Sequence, residues 1–259
     1  MMEFNIPANG NKKLEALMLL VKKDKEIETL LKMSNITAID RMGYNDHGPT
    51  HVRIVANSSL RMLRILMKRK IVPDIVKSYK LKKEDAEIIV VFSAVLHDIG
   101  HAIHRKNHEL LSTILAGPII DRILSSLYKD QEKNIIKLEI LHTIYSHEPN
   151  MDPLTIEGGV MKVADALDME MGRARIPYQA GSVNIHSVSA MAIDKVKIFE
   201  GIKKPIRIII HMSDSAGIFQ VDELLKGKVR TSGIAKELEI EAILKQGKKE
   251  KILKKYVYN

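Results

Sequence analysis

The chain has 259 residues, 45% of them apolar and 28% charged, which is typical of a globular protein with a large core and excludes a disordered chain. Lys and Arg outnumber Asp and Glu by 41 to 32, so the formal charge of +9 favours polyanionic partners such as nucleotides or nucleic acid. Because the chain has no Cys, disulfides and thiolate sites are excluded, and a metal would need imidazole and oxygen ligands.

The first two thirds of the chain are predicted to be helical. From Lys12 to about Asp168 apolar residues recur at spacings of three and four, as in Leu60, Leu63 and Leu66, which is the pattern of amphipathic helices. Gly, Pro, Asn and Asp separate the helical segments. The predicted helices are Lys12–Lys32, His51–Lys70, Lys83–His97, His108–Tyr128, Gln131–His147 and Ile156–Asp168.

The pattern changes to β-branched runs after Ile176. Helix-capping residues at 213–217 precede a predicted helix over Ile218–Leu225. The predicted strands are Val183–Ile193, Val196–Phe199, Pro205–Met212 and Leu238–Leu244. We therefore predict a mainly α protein, with a helical domain over residues 1–178 and a small α+β domain over 179–259, for which a ferredoxin-like arrangement is one option. The basic tail Lys245–Lys255 is expected to be a solvated helix end or a frayed terminus, with a phosphate-binding arm as the alternative.

Neither a membrane span nor a secretory signal is predicted. No run approaches the roughly 20 uncharged apolar residues that cross a bilayer, and charge appears as early as Glu3. A cytoplasmic protein is the expectation.

Histidine is concentrated in the helical part, where eight of the ten histidines lie between His47 and His147. His51, the pair His97-Asp98 and Asp165 each occur on or beside a segment that otherwise forms core. A polar or charged group that faces a core costs several kcal/mol unless it is paired. Because one metal ion would satisfy all of these groups, their combination indicates a metal site.

Three ordered motifs resemble those of the HD-domain metal-dependent phosphohydrolases. They are Asn45-Asp46-His47-Gly48-Pro49-Thr50-His51-Val52, Leu96-His97-Asp98-Ile99-Gly100-His101 and Val163-Ala164-Asp165-Ala166-Leu167-Asp168. The resemblance covers about residues 40–178. It includes some similarity to the HD domains of ribonuclease Y and of the HD-GYP cyclic dinucleotide phosphodiesterases.

The resemblance implies a set of metal ligands. The positions that match the family's ligands are His51, His97, Asp98 and Asp165, and Asp98 would bridge two metals. Branches with a dinuclear site have two further histidine positions, for which His108 and His147 are the candidates. Ser146 stands where those branches have another His, so the second metal is in question. His142, five residues before His147, is included as a ligand that would compensate.

Other polar residues are candidates for contact with substrate. His101 and Arg105 lie in the loop after His97-Asp98, and Lys162 precedes the last motif. With Asp98 these form the expected catalytic group, although His101 also fits a residue of an ordinary polar loop. Arg173 and Arg175 are the expected phosphate-binding residues. His47 is expected in a loop near the site, while His186 and His211 are expected to be ordinary structural residues.

The expected function is hydrolysis of a phosphoester of a nucleotide or a related small molecule. It would use one or two divalent ions among Mn, Ni, Co, Fe, Mg and Zn. Three alternatives remain open at this point: a nuclease or phosphodiesterase acting on RNA or cyclic oligonucleotides, a non-catalytic nucleotide-binding module, and a di-iron oxygenase. Nucleic acid as a partner and assembly into a homo-oligomer are also left open.

Overall fold

The computed structural model describes residues 4–172, 185–246 and 249–258. Helices dominate up to residue 172, and a four-stranded sheet follows. The helices are α1 (Lys12–Lys23), α2 (Lys25–Asn35), α3 (Pro49–Lys68), α4 (Asp74–Tyr79), α5 (Lys83–Leu96), α6 (His108–Leu124), α7 (Asp130–Tyr145), α8 (Ile156–Ala166), α9 (Ile185–Met191) and α10 (Lys226–Arg230). The strands are β1 (Ile193–Glu200), β2 (Ile206–Met212), β3 (Leu238–Gln246) and β4 (Lys249–Val257).

Helix α5 is the central element of the helical part. Every residue from Asp85 to Leu96 is buried, so this helix is covered on all sides, as its continuous apolar run from Ile88 requires. α1, α3, α4, α7 and α8 pack around it. The carboxyl end of α5 therefore lies inside the protein, and His97 and Asp98 follow it directly.

The predicted first helix is two helices. Asp24 ends α1 and caps α2, because its Oδ1 accepts hydrogen bonds at 3.0 Å from the backbone N–H groups of Glu26 and Ile27. Asp at this position satisfies N–H groups that have no partner within the helix. The other five predicted helices exist, with ends within four residues of those expected.

The C-terminal sheet has the strand order β1-β2-β3-β4. β1 pairs antiparallel with β2, β2 pairs parallel with β3, and β3 pairs antiparallel with β4. The parallel central pair requires a crossover, which residues 213–237 provide with α10 and three other short helical segments. The predicted mainly α fold with a small α+β part is confirmed.

Three details of the C-terminal prediction are wrong. The ferredoxin-like order of elements is β-α-β-β-α-β, whereas here two strand pairs flank one helical crossover. Residues 185–191 form α9 rather than a strand, because a short run of small and apolar residues fits either structure. The basic tail is largely β4, not a frayed end. The predicted boundary at residue 178 lies outside the described residues and stays a prediction.

The crossover packs directly on helix α8. Gly159 of α8 approaches the Ser232 carbonyl so closely that a Cβ at position 159 would lie 2.2 Å from that oxygen. Thr231 Oγ1 also donates to the Pro149 carbonyl at 3.0 Å. At the other end of the interface, Lys68 Nζ of α3 lies 2.5 Å from Glu200 Oε2 of β1. The C-terminal part is thus fixed against the helices that form the core.

None of the helices in the described part of the chain has both the length and the apolar composition needed to cross a membrane.

We predict that Gly159→Ala destabilises the protein by about 1–3 kcal/mol, because the added methyl group has to push Ser232 away from α8. Gly117→Ala is the matched control. It lies in α6 with open space around its Cβ position and should stabilise by about 0.5–1 kcal/mol through helix propensity. Urea unfolding of both variants measures the difference. Equal free energies of unfolding for the two variants would contradict the close contact.

Candidate metal centre

Four helix ends bring the polar residues together. His51 lies in the first turn of α3, where Pro49 starts the helix, and His97 and Asp98 follow α5. Asp165 lies in the last turn of α8. His108 starts α6, whose position is set by a tight contact in which Gly100 N–H donates to Ser112 Oγ at 2.9 Å.

The first donor cluster contains the side chains of His51, His97, Asp98 and Asp165. His51 Nε2 lies 3.2 Å from His97 Nε2, 3.3 Å from Asp98 Oδ2 and 3.3 Å from Asp165 Oδ1. His97 Nε2 lies 3.2 Å from Asp98 Oδ2 and 3.6 Å from Asp165 Oδ1. Two imidazole nitrogens and two carboxylate oxygens therefore face one point from separate elements.

The second donor cluster uses the other oxygen of Asp98. Asp98 Oδ1 lies 3.3 Å from His108 Nε2 and 3.7 Å from His147 Nε2. The Nε2 atoms of His108 and His147 are 3.3 Å apart. Both histidines come from sequence after the His-Asp pair, as the resemblance implied. Asp98 thus has one oxygen in each cluster, which is the arrangement of a bridging carboxylate.

Each of the four clustered histidines has an oxygen against its Nδ1. The distances are 2.6 Å from His51 to Asp168 Oδ2, 2.9 Å from His97 to the Ala94 carbonyl, 3.0 Å from His108 to the Arg105 carbonyl and 2.5 Å from His147 to the Ile144 carbonyl. An oxygen at Nδ1 places the proton there and leaves the Nε2 lone pair available, which is how proteins orient metal-binding imidazoles.

His101 is fully buried beside the second cluster. Its Nε2 lies 3.7 Å from Asp98 Oδ1, and its ring lies between those of His47 and His108 at centroid distances of 4.5 and 4.1 Å, tilted by 45° and 39°. Neither ring nitrogen of His101 has a hydrogen-bond partner within the described residues. A buried imidazole without a partner is costly, so His101 is a candidate fourth ligand for the second cluster.

The charges of the clusters are strongly coupled. Burial lowers the pKa of His97, but the carboxylates of Asp98 and Asp165 outweigh it and raise that pKa to about 9. Burial would raise the pKa of Asp98, yet His97, His108 and His51 hold it well below its usual range. Burial lowers the pKa of His101 to about 4 and that of His147 well below its usual value. The carboxylates therefore stay ionised, and the clusters attract cations.

The structure does not place His142, which the sequence analysis expected as a ligand, in either donor cluster. Its Nε2 accepts a hydrogen bond from the Leu154 backbone N–H at 3.1 Å, and His142 belongs to none of the four metal-capable groups found among the described residues. Residues five apart on a helix point about 140° away from each other, and α7 ends at Tyr145, so His147 lies in a turn. Ser146 is buried, and its hydroxyl has no hydrogen-bond partner within the described residues.

Lys162 is not placed to bind substrate. Its Nζ donates to the carbonyls of Glu148, Pro149 and Met151, at 2.9, 3.2 and 2.6 Å, and the side chain is buried. All three ammonium protons are thereby used to hold the loop that follows His147. Arg105 does line the site cavity, with its guanidinium 4.5 Å from the centroid of the Tyr44 ring. Arg173 and Arg175 lie outside the described residues.

Two site residues were missed in the sequence. Asp168 was seen only as part of the last motif, although it orients His51. Lys228 comes from α10 in the crossover, and its Nζ pairs with Asp165 Oδ2. Asp168 follows Asp165 by three residues, which puts both carboxylates on one side of the chain and is a usable signal. For Lys228 the only signal was the basic run Lys226 to Arg230.

A cavity of about 920 Å³ opens beside both clusters. Asp98, Asp165 and His147 line its floor, while the Tyr44 loop and the crossover form its walls. Its basic lining residues are Arg105, Lys228 and Arg230. A volume of this size fits a small organic ligand.

Comparison with known proteins agrees with the motifs. A family model of the HD domain matches residues 50–170. The uncharacterized protein MJ1020 of Methanocaldococcus jannaschii is 47% identical over 226 residues, which cover 87% of each chain. No solved structure matches this chain.

We predict that Asp98→Ala abolishes binding of divalent metal, because both clusters lose a carboxylate oxygen. His142→Ala is the matched control, since it removes an imidazole of the same region that lies in neither cluster, and it should keep the metal content of wild type. Elemental analysis after loading with Mn²⁺ gives the number of ions per chain. Loss of metal in the His142 variant would contradict the cluster assignment.

We predict that Lys162→Met lowers stability by about 1–3 kcal/mol, because the partly buried carbonyls of Glu148 and Met151 lose their donor and the Pro149 carbonyl keeps only Thr231. Lys129→Met, at an exposed position, should leave stability unchanged. Urea unfolding provides the measurement. An unchanged midpoint for the Lys162 variant would show that these hydrogen bonds do not hold the loop.

Proposed function

This protein belongs to the HD-domain family, and we propose that it is a divalent-metal-dependent phosphohydrolase acting on a nucleotide or a related small phosphoester. HD-domain proteins generally are metal-dependent phosphohydrolases, and this chain retains the complete His, His-Asp and Asp pattern. The observation that carries the proposal is the convergence of four oriented Nε2 atoms on the two oxygens of one carboxylate.

The donor set fits hard or borderline divalent cations. The lone pairs of His51 and His97 face each other at 3.2 Å, which is unfavourable unless a proton or a metal lies between them. His51, His97, Asp98 and Asp165 would hold one cation, and Asp98, His108 and His147, with His101 at hand, would hold a second. Imidazole and carboxylate ligands without thiolate suit Mn, Fe, Co, Ni or Zn.

The chemistry follows from these ligands. A divalent cation supplies Lewis-acid polarisation of a phosphoryl oxygen and lowers the pKa of water that contacts it. The protein's own part is to hold a proton on each clustered Nδ1 and to keep the carboxylates ionised, so that the Nε2 atoms face the position of the cation. The extra proton that His97 retains near neutral pH, because its pKa is raised to about 9, would leave when the first cluster binds a cation. Asp98 fixes the separation of the two clusters. Arg105 and Lys228 at the cavity wall would neutralise an anionic phosphate.

The shape and lining of the cavity favour a small substrate rather than a long nucleic acid. The crossover and the loop that carries Tyr44 enclose the clusters, and the wall contains carboxylates, Glu109 and Glu223, along with the basic residues. Those carboxylates would repel an extended phosphate backbone. A cytoplasmic location and a nucleotide as the particular substrate remain parts of this proposal.

We predict metal-dependent hydrolysis of phosphoesters by wild type, tested with a nucleotide panel and a generic phosphodiester in the presence of Mn²⁺, Ni²⁺, Co²⁺ or Mg²⁺. Asp98→Ala should lower kcat/KM by about a thousandfold or more, since loss of metal removes several kcal/mol of transition-state stabilisation. His147→Ala should bind one fewer Mn²⁺ ion per chain than wild type and retain the first site.

His142→Ala serves as the control variant and should keep wild-type activity. Full metal loading of wild type without hydrolysis of any compound in the panel would contradict the phosphohydrolase proposal and favour a binding module. Hydrolysis of RNA but of no mononucleotide would shift the assignment to a nuclease.

A further inference from the structure

We propose that the C-terminal part supplies a phosphate-binding residue, Lys228, to the metal centre. The inference rests on the proposed phosphohydrolase function and deepens it. It also assigns a role to the sheet domain, which the HD-domain match at residues 50–170 does not reach.

The backbone around Lys228 is held firmly against the helical part. Gly159 lies in contact with the Ser232 carbonyl, and Thr231 Oγ1 donates to the Pro149 carbonyl at 3.0 Å. Val229, the neighbour of Lys228, is fully buried. The position of Lys228 relative to α8 is therefore fixed by packing on both sides of it along the chain.

The side chain of Lys228 reaches the metal ligand Asp165 from the cavity side. Its Nζ pairs with Asp165 Oδ2, while Asp165 Oδ1 faces His51 Nε2 at 3.3 Å. The two oxygens of this carboxylate thus contact different groups. Oδ1 faces the first donor cluster, and Oδ2 contacts the ammonium group of Lys228. This arrangement leaves Oδ1 alone to bind a cation.

The ammonium group also has capacity for a further anion. An ammonium group has three N–H donors, and within the described residues one of them is used, in the hydrogen bond to Asp165. Lys228 lines the same cavity as Asp98 and His147, and its side chain is 18% exposed. A phosphate oxygen bound beside the first cluster would therefore meet a fixed positive charge. A phosphoryl oxyanion, free or esterified, is the ligand that fits a metal pair flanked by ammonium.

The matched control lies two residues earlier in the same short helix. Lys226 is exposed and is not part of the cavity wall. Substitution of either residue removes the same charge from the same helix. Lys226→Gln thus reports the effect of net charge alone, whereas Lys228→Gln removes the charge at the site but keeps a donor for Asp165.

The experiment is calorimetric titration of inorganic phosphate into Mn²⁺-loaded protein, with the Mn²⁺ content and the thermal midpoint measured for each preparation. Loss of one charge-assisted hydrogen bond should weaken phosphate binding by about ten- to a hundredfold in Lys228→Gln. Lys226→Gln should match wild type, and Lys228→Arg should retain more of the affinity than the Gln variant. In turnover of a phosphoester that wild type hydrolyses, Lys228→Gln should raise KM by a similar factor.

The results separate this inference from the proposed function. If Lys228→Gln has the phosphate affinity and the KM of wild type, the proposed role of Lys228 is overturned. Hydrolysis of the phosphoester by wild type would in that case still support the proposed function. Equal weakening by Lys226→Gln and Lys228→Gln would also overturn the role of Lys228, because net charge would then explain the effect. Absence of Mn²⁺ binding in wild type would instead overturn the proposed function.

A poorly folding Lys228→Gln variant would be recognised by its lowered thermal midpoint, and Lys228→Met, which removes the charge and keeps the length of the side chain, then decides. With normal Mn²⁺ content, weakened phosphate binding in Lys228→Met supports the role of Lys228, and wild-type phosphate affinity overturns it.

Discussion

The Asp98 carboxylate joins two groups of imidazoles inside the helical core. One oxygen faces His51 and His97, and the other faces His108, His147 and His101, at distances of 3.2 to 3.7 Å. Charged groups buried at this density are costly unless they compensate each other or bind a cation. The surrounding helices bring the compensating groups close to Asp98. α5 delivers Asp98 into the interior, α3 and α8 close one side, and the turn after α7 closes the other. The same condition explains why an oxygen lies beside the Nδ1 atom of His51, His97, His108 and His147.

Much of this arrangement follows from the sequence, because the clustered residues occur at or just beyond the ends of segments that are recognisably helical. Buried faces could be read from the spacing of Leu60, Leu63 and Leu66, so an imidazole or carboxylate on such a face indicated a site. The helical spacing of apolar residues was less informative about where a helix ends. It predicted a helix that continues to His147, whereas α7 ends at Tyr145. Even on a continuous helix a separation of five residues would turn His142 about 140° away from position 147, and its Nε2 instead accepts a hydrogen bond from Leu154 N–H.

Other features depended on contacts between distant segments. Lys162 precedes the proposed ligand Asp165 by three residues, but its role is set by the carbonyls of a loop that no local pattern reveals. Lys228 meets Asp165 across 63 residues of sequence. The strand runs at 206–212 and 238–244 were visible from their β-branched residues, yet their parallel pairing was not, because both orientations satisfy the same apolar pattern.

The parallel pairing of β2 with β3 also affects the order in which the parts of the chain fold. During synthesis the helical part leaves the ribosome first and carries all of the clustered imidazoles and carboxylates. The crossover can settle on α8 only once β3 is available to pair with β2, and pairing between segments far apart in sequence is slow. The clustered imidazoles and carboxylates would therefore be present in a nascent chain before Lys228 reaches Asp165. The pairing of Lys228 with Asp165 is, in this sense, a contact completed in the last step of folding.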